Sequence, residues 1–149
     1  VAAPISGIVA NRLAKGKSGA ALARSMLTSL MGGMVIAVLG GILIPILAPI
    51  SFEGACLALF MSTFVWWQSP PYLAVPPAVI PDLVKAGKVT SVSLGIGNIP
   101  DVVAPIVTTA LLGALGPEAG WTVSWHLSWI IATLGIWAPL ALRAKLPKE

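Results

Sequence analysis

From Ser25 to Ile50 the chain runs without one charged residue, and it does so again from about Ala55 to Ile80. A helical crossing of the hydrocarbon core takes roughly 20 predominantly apolar residues, so each run is long enough to span. Two further stretches repeat the pattern: Ser91–Leu115, interrupted by Asp101 alone, and Trp121–Leu142. A water-soluble domain covers itself with charge on roughly a quarter of its residues. Here 9% of residues are charged and 57% hydrophobic, and the mean hydropathy is +0.94. Lipid must therefore solvate much of the surface, and an aqueous globule is excluded. The expected fold class is all-α and polytopic, a single transmembrane domain with spans at about 25–50, 55–80, 91–115 and 121–142. Residues 1–10 are apolar but too short to cross, and they lack an initiator Met, a basic n-region and a cleavage site. The expectation there is a partial helix, as in a fragment that starts inside one.

The charges fall between these runs. Arg12, Lys15, Lys17 and Arg24 lie in residues 11–24, Asp82, Lys85 and Lys88 in 82–90, and Arg143, Lys145, Lys148 and Glu149 in the tail. Glu53 and Glu118 mark short turns, the second inside Gly116-Pro117-Glu118-Ala119-Gly120. Placing successive loops on alternating sides puts all 9 Lys and Arg on one side and none on the other. Basic residues accumulate in cytoplasmic loops. The expected location is thus a plasma (inner) membrane, multi-pass, with basic loops and C-terminus cytoplasmic. The pI near 9.7 also suits a nucleic-acid ligand. In so apolar a chain the charge reads as orientation, and no nucleic acid is expected as a partner. Cys56 reads as a small packing residue, and one His without a Cys cluster offers no metal site. No cofactor is expected.

Asp101 is the leading candidate for chemistry. It lies about ten residues into its span, roughly 15 Å deep at about 1.5 Å per residue. An ionised carboxylate at that depth must be paired, hydrated or protonated, and such residues face cavities or proton paths. The alternative is a protonated Asp101 bonded to a neighbouring helix, or a kink that draws it toward an end. Gly95, Gly97, Asn98, Pro100 and Pro105 surround it and predict a broken helix. In the second span Trp66, Trp67, Gln68 and Tyr72 cluster near the centre, beside Pro70, Pro71, Pro76, Pro77 and Pro81. These side chains either line a substrate cavity or pack against neighbouring helices. Trp121, Trp125 and Trp129 recur every four residues, as an interfacial belt and packing face would. His126 beside them reads as interfacial rather than as a relay. Gly32, Gly33, Gly40 and Gly41 permit close helix–helix contact.

The first loop carries a family likeness. Gly7-Ile8-Val9-Ala10-Asn11-Arg12-Leu13-Ala14-Lys15-Gly16-Lys17 resembles the loop signature G-x-L-A-D-R-x-G-R-[RK] of the major facilitator superfamily. Gly7, Ala10 and Arg12 match, Lys15 and Lys17 supply the basic end, Asn11 replaces Asp, and Gly16 is displaced. In that family a degenerate copy joins the eighth and ninth helices, so a weakened copy points to the C-terminal half. Ser93-Leu94-Gly95-Ile96-Gly97-Asn98 with Ala104-Pro105-Ile106-Val107 is similar to the eleventh helix of organic-anion and sugar-acid symporters, and Trp66-Trp67-x-x-Pro70 to their tenth. Pro100 and Asp101 depart from that pattern.

The resemblance implies four full helices plus a partial one within a six-helix half of a secondary transporter. Arg12 and its loop neighbours would brace the inward face while the two halves rock around a central site. The implied partners are the lipid bilayer, a small organic solute, a coupling ion such as the proton, and the remainder of the transporter chain. Other readings stay open: the N-terminal half of the same superfamily, a non-transporting membrane subunit, or an intramembrane enzyme. The last would need a nucleophile–base or metal constellation at matching depth. Asp101 with a shallow His126 does not supply one, so no enzyme is expected.

Overall fold

The computed structural model describes residues 2–64 and 69–147. Their regular structure is entirely helical: α1 (Ala2–Ala14), α2 (Gly19–Leu47), α3 (Phe52–Ser62), α4 (Ser69–Val79), α5 (Leu83–Gly97), α6 (Ile99–Leu115), α7 (Pro117–Gly135) and α8 (Trp137–Lys145). Three helical stretches are long and apolar enough to cross a membrane: α2 with 29 residues, Leu83–Leu115 with 33, and Pro117–Lys145 with 29. Large apolar side chains such as Val102 and Ile106 are exposed to 68% and 66%, as lipid-facing surface requires.

Several expected boundaries shift. The second span takes the form of two helices of 11 residues each, α3 and α4. Pro70 and Pro71 sit in the first turn of α4, where a missing N–H removes no intrahelical bond. Pro76 and Pro77 are accommodated inside that helix, and it stops just short of Pro81. The loop expected over 11–24 shrinks to residues 15–18, which places Arg24 inside α2. Lys85 and Lys88 are likewise helical, because Asp82 caps α5 by accepting from the N–H groups of Val84 at 2.9 Å and Lys85 at 3.1 Å.

The turns follow from backbone chemistry. Gly16 follows the end of α1 at φ +73°, and the Lys17 N–H donates to the Ala14 carbonyl at 2.9 Å. Gly116 at φ +79° ends α6, and Pro117 opens α7 at once. At the turn between α2 and α3, the Ser51 hydroxyl oxygen accepts from the Gly54 N–H at 3.1 Å. Glu53 is held below its ordinary value of 4.5, by its own backbone N–H and then by the Ser51 hydroxyl.

The centre of the assembly is α2, which packs against α1, α3, α4, α7 and α8. Its buried positions are mostly small or unbranched, among them Ala23, Gly33, Ala37, Gly40 and Gly41. A Cβ on Gly40 would sit 2.6 Å from the Ala58 carbonyl oxygen of α3, so the two backbones touch there. A Cβ on Gly41 would collide with the Trp129 indole of α7. The neighbouring Trp125 donates its Nε1–H to the Gly41 carbonyl at 2.9 Å. Two of the three regularly spaced tryptophans therefore pack on α2, while Trp121 stays 60% exposed. A Cβ on Gly120 would approach Leu112 Cα at 2.7 Å, and Thr108 and Ser124 share a hydrogen bond of 2.6 Å, which closes α6 on α7.

Gly40→Ala is expected to destabilise the protein by about 1–3 kcal/mol, because rigid backbone must move aside. At Gly32, whose added Cβ meets nothing within 4 Å, Ala should be neutral or stabilising by up to about 1 kcal/mol. Reversible unfolding in mixed micelles, followed by tryptophan fluorescence, reads both. Equal effects at the two positions would refute close backbone packing at Gly40.

Candidate functional site

The Leu83–Leu115 stretch breaks at Asn98, which both closes α5 and opens α6. Its φ of −88° and ψ of −9° keep the chain turning in the same sense. The Asn98 N–H donates to the Leu94 carbonyl at 3.0 Å, and the Asp101 N–H donates to the Asn98 carbonyl at 3.1 Å. The Asn98 side chain makes no capping bond. Pro100 fits the first turn of α6 because an N–H there has no intrahelical acceptor.

This break sets the surroundings of Asp101. The carboxylate falls in the first turn of α6, where the positive end of a helix dipole favours negative charge. Four residues on, Pro105 has no N–H to offer the Asp101 carbonyl. One residue thus combines an acid with a carbonyl that lacks its usual helical donor, within a stretch long enough to cross a membrane. Asp101 is exposed, as are Asn98 and Pro100. Its side chain makes no hydrogen bond or ion pair with the described residues. α6 has no buried residue, and none of the described residues covers Asp101.

The other expected site residues are dispersed. Tyr72 lies half-buried on α4, which packs against α5, and no bond joins it to Asn98 or Asp101. Trp66, Trp67 and Gln68 lie outside the described residues. In the loop motif, Gly7 is half-buried on α1, while Asn11, Arg12 and Lys15 are exposed at or just beyond the end of that helix. Lys17 turns back to α2 and donates from Nζ to Ser25 Oγ at 2.7 Å. His126 is exposed on α7.

One grouping had no sequence signal. Lys17, Arg24 and Arg143 line a common cavity of about 320 Å³ together with Ala21, Ser25 and Thr28. They come from the α1–α2 turn, α2 and α8, and the separation of 119 residues between Arg24 and Arg143 (143 less 24) conceals it. A larger cavity of about 510 Å³ surrounds the Gly116 turn, but Glu118 is its one ionisable lining residue.

The three helical stretches long and apolar enough to cross a membrane are compatible with a multi-pass membrane protein. The chain matches no family model, no curated protein and no solved structure.

If Pro105 frees the Asp101 carbonyl, Pro105→Ala should restore that hydrogen bond and stabilise α6 by up to about 3 kcal/mol. Hydrogen exchange at the new residue 105 amide should then be slow. Exchange at the rate of an unprotected amide would show that the carbonyl is not within reach.

Proposed function

We propose that this chain is part of a secondary active transporter of the major facilitator type. It moves a small organic solute by alternating access, with coupling to protons through Asp101. The single observation that carries this reading is the place of Asp101. It starts a helix after a break in a 33-residue apolar stretch, on a face that nothing described covers. A carboxylate left there facing lipid costs several kcal/mol. Covering the face with the remainder of the transporter chain and a water-filled path removes that cost. Broken helices whose ends face a mid-membrane site are a recurrent way to bind solutes and ions in transporters.

In this reading the four-span arrangement belongs to a six-helix half, and α3 with α4 forms the second of the four crossings. Basic residues at the α1–α2 turn, the start of α5 and the end of α8 face the cytoplasm. Arg12, Lys15 and Lys17 brace the inward side. An organic anion or sugar acid is the solute class that the likeness of the α5–α6 segment favours.

Two measurements test this. In the complete transporter, Asp101→Asn should abolish most proton-driven uptake and flatten its pH dependence, while leaving the protein in the membrane. Unchanged uptake with an unchanged pH profile would reduce Asp101 to a structural residue. For orientation, single cysteines at positions 88 and 118 in a Cys56→Ser background should label oppositely in intact cells. A membrane-impermeant maleimide should reach position 118 directly and position 88 only after permeabilisation. The reverse pattern would overturn the orientation.

A further inference from the structure

The turn at Gly16 sends Lys17 back over α2, and Ala21, Arg24, Ser25 and Thr28 follow on one face of that helix at helical spacing. α8 packs against α2, and its last turn adds Arg143 to the same cavity. Lys17, Arg24 and Arg143 bring three positive charges, and no carboxylate is among the lining residues. The hydroxyl of Ser25 already accepts from Lys17 Nζ at 2.7 Å, so its own proton remains to be donated. Thr28, also in the lining, donates to the Arg24 carbonyl at 2.8 Å. Arg24 Nε is buried and has no hydrogen-bond partner among the described residues.

Such a cavity is incomplete by itself. A buried guanidinium N–H without an acceptor loses the full energy of its hydration, and like charges around one space repel. An oxyanion relieves both, and the planar guanidinium matches the oxygens of a phosphate. A cavity of about 320 Å³ has room for a phosphate group. Its position matters as well. Lys17 precedes the first residue of α2 by two, and Arg143 lies two residues before the end of α8. The cavity therefore sits at one end of two membrane-length stretches, the place where a chain crossing a bilayer meets lipid headgroups.

We infer that Lys17, Arg24 and Arg143, with the Ser25 hydroxyl, form a binding site for a phosphate group at this end of the bundle, independently of any transport role. The phosphate is either that of an anionic phospholipid or free phosphate, and the chemistry of recognition is shared.

The test uses the full chain in nanodiscs of phosphatidylcholine with a minority of phosphatidylglycerol, read by native mass spectrometry for retained lipid. A second arm titrates inorganic phosphate into the chain in pure phosphatidylcholine discs by calorimetry. Retention of phosphatidylglycerol above its share of the disc identifies the lipid headgroup. Saturable binding of inorganic phosphate without such retention identifies the free anion. In whichever arm binds, Arg143→Gln and Arg24→Gln should each weaken binding about tenfold, as loss of a charge-assisted hydrogen bond implies. Lys88→Gln, on α5, should change nothing. If Arg24→Gln fails to fold, the exposed Arg143→Gln still decides. Binding in neither arm, or equal loss in Arg143→Gln and Lys88→Gln, overturns the site.

Discussion

In hydrocarbon a backbone N–H or C=O cannot turn to water, so a chain that crosses a bilayer must satisfy those groups within its own helices or bury the exceptions in protein. The arrangement of this molecule follows from that requirement. Where regular helix suffices, as through most of α2, the sequence is free to be apolar and small. Pro and Gly interrupt the ladder at turns, as at Gly16 and Gly116, and also inside helices, as at Pro45, Pro76, Pro77 and Pro105. Asn98 and Pro105 bracket Asp101. The Asp101 carboxylate lies in the first turn of α6, and four residues on stands a proline with no N–H for the Asp101 carbonyl.

Packing obeys a second rule, set by the lack of a hydrophobic drive between helices in lipid. Contact must come from close approach and from hydrogen bonds. α2 supplies the close approach with Gly40 against the α3 backbone and Gly41 against the Trp129 ring. α7 supplies the hydrogen bond through Trp125, and the α6–α7 hairpin repeats the scheme with Gly120 and the Thr108–Ser124 pair. Outside these seams, Leu, Ile and Val face outward, which in water would be a defect and in lipid is ordinary surface.

Much of this architecture was legible in the sequence because it depends on features one residue type reveals. Absence of charge marks the long helices, and Gly and Pro mark most of their ends. The break at Asn98 was legible for the same reason. The second expected span was not. Uncharged length cannot tell one crossing helix from α3 followed by α4, because the proline effect depends on whether each ring falls in a first turn or an interior. Among the glycines, pattern alone treated Gly32 and Gly40 alike, and only the path of α3 separates them. Arg24 read as a loop residue because charge usually stops a span, whereas a long side chain near a helix end can extend toward water. Its meeting with Arg143 depends on how α8 returns along α2, and no local signal carries that.

The pairing of Gly41 with two tryptophans also sets the axial alignment of α7 on α2. The indole of Trp125 reaches one carbonyl, and that of Trp129 fills the notch left by one missing side chain. A slide of α7 by a single residue, about 1.5 Å, would pull the Trp125 donor off its acceptor and shift the Trp129 ring out of the notch at Gly41. The contact thus works as a key in a keyway: it admits one position along the groove, and it keeps α2 and α7 in step as a single piece whatever the rest of the protein does.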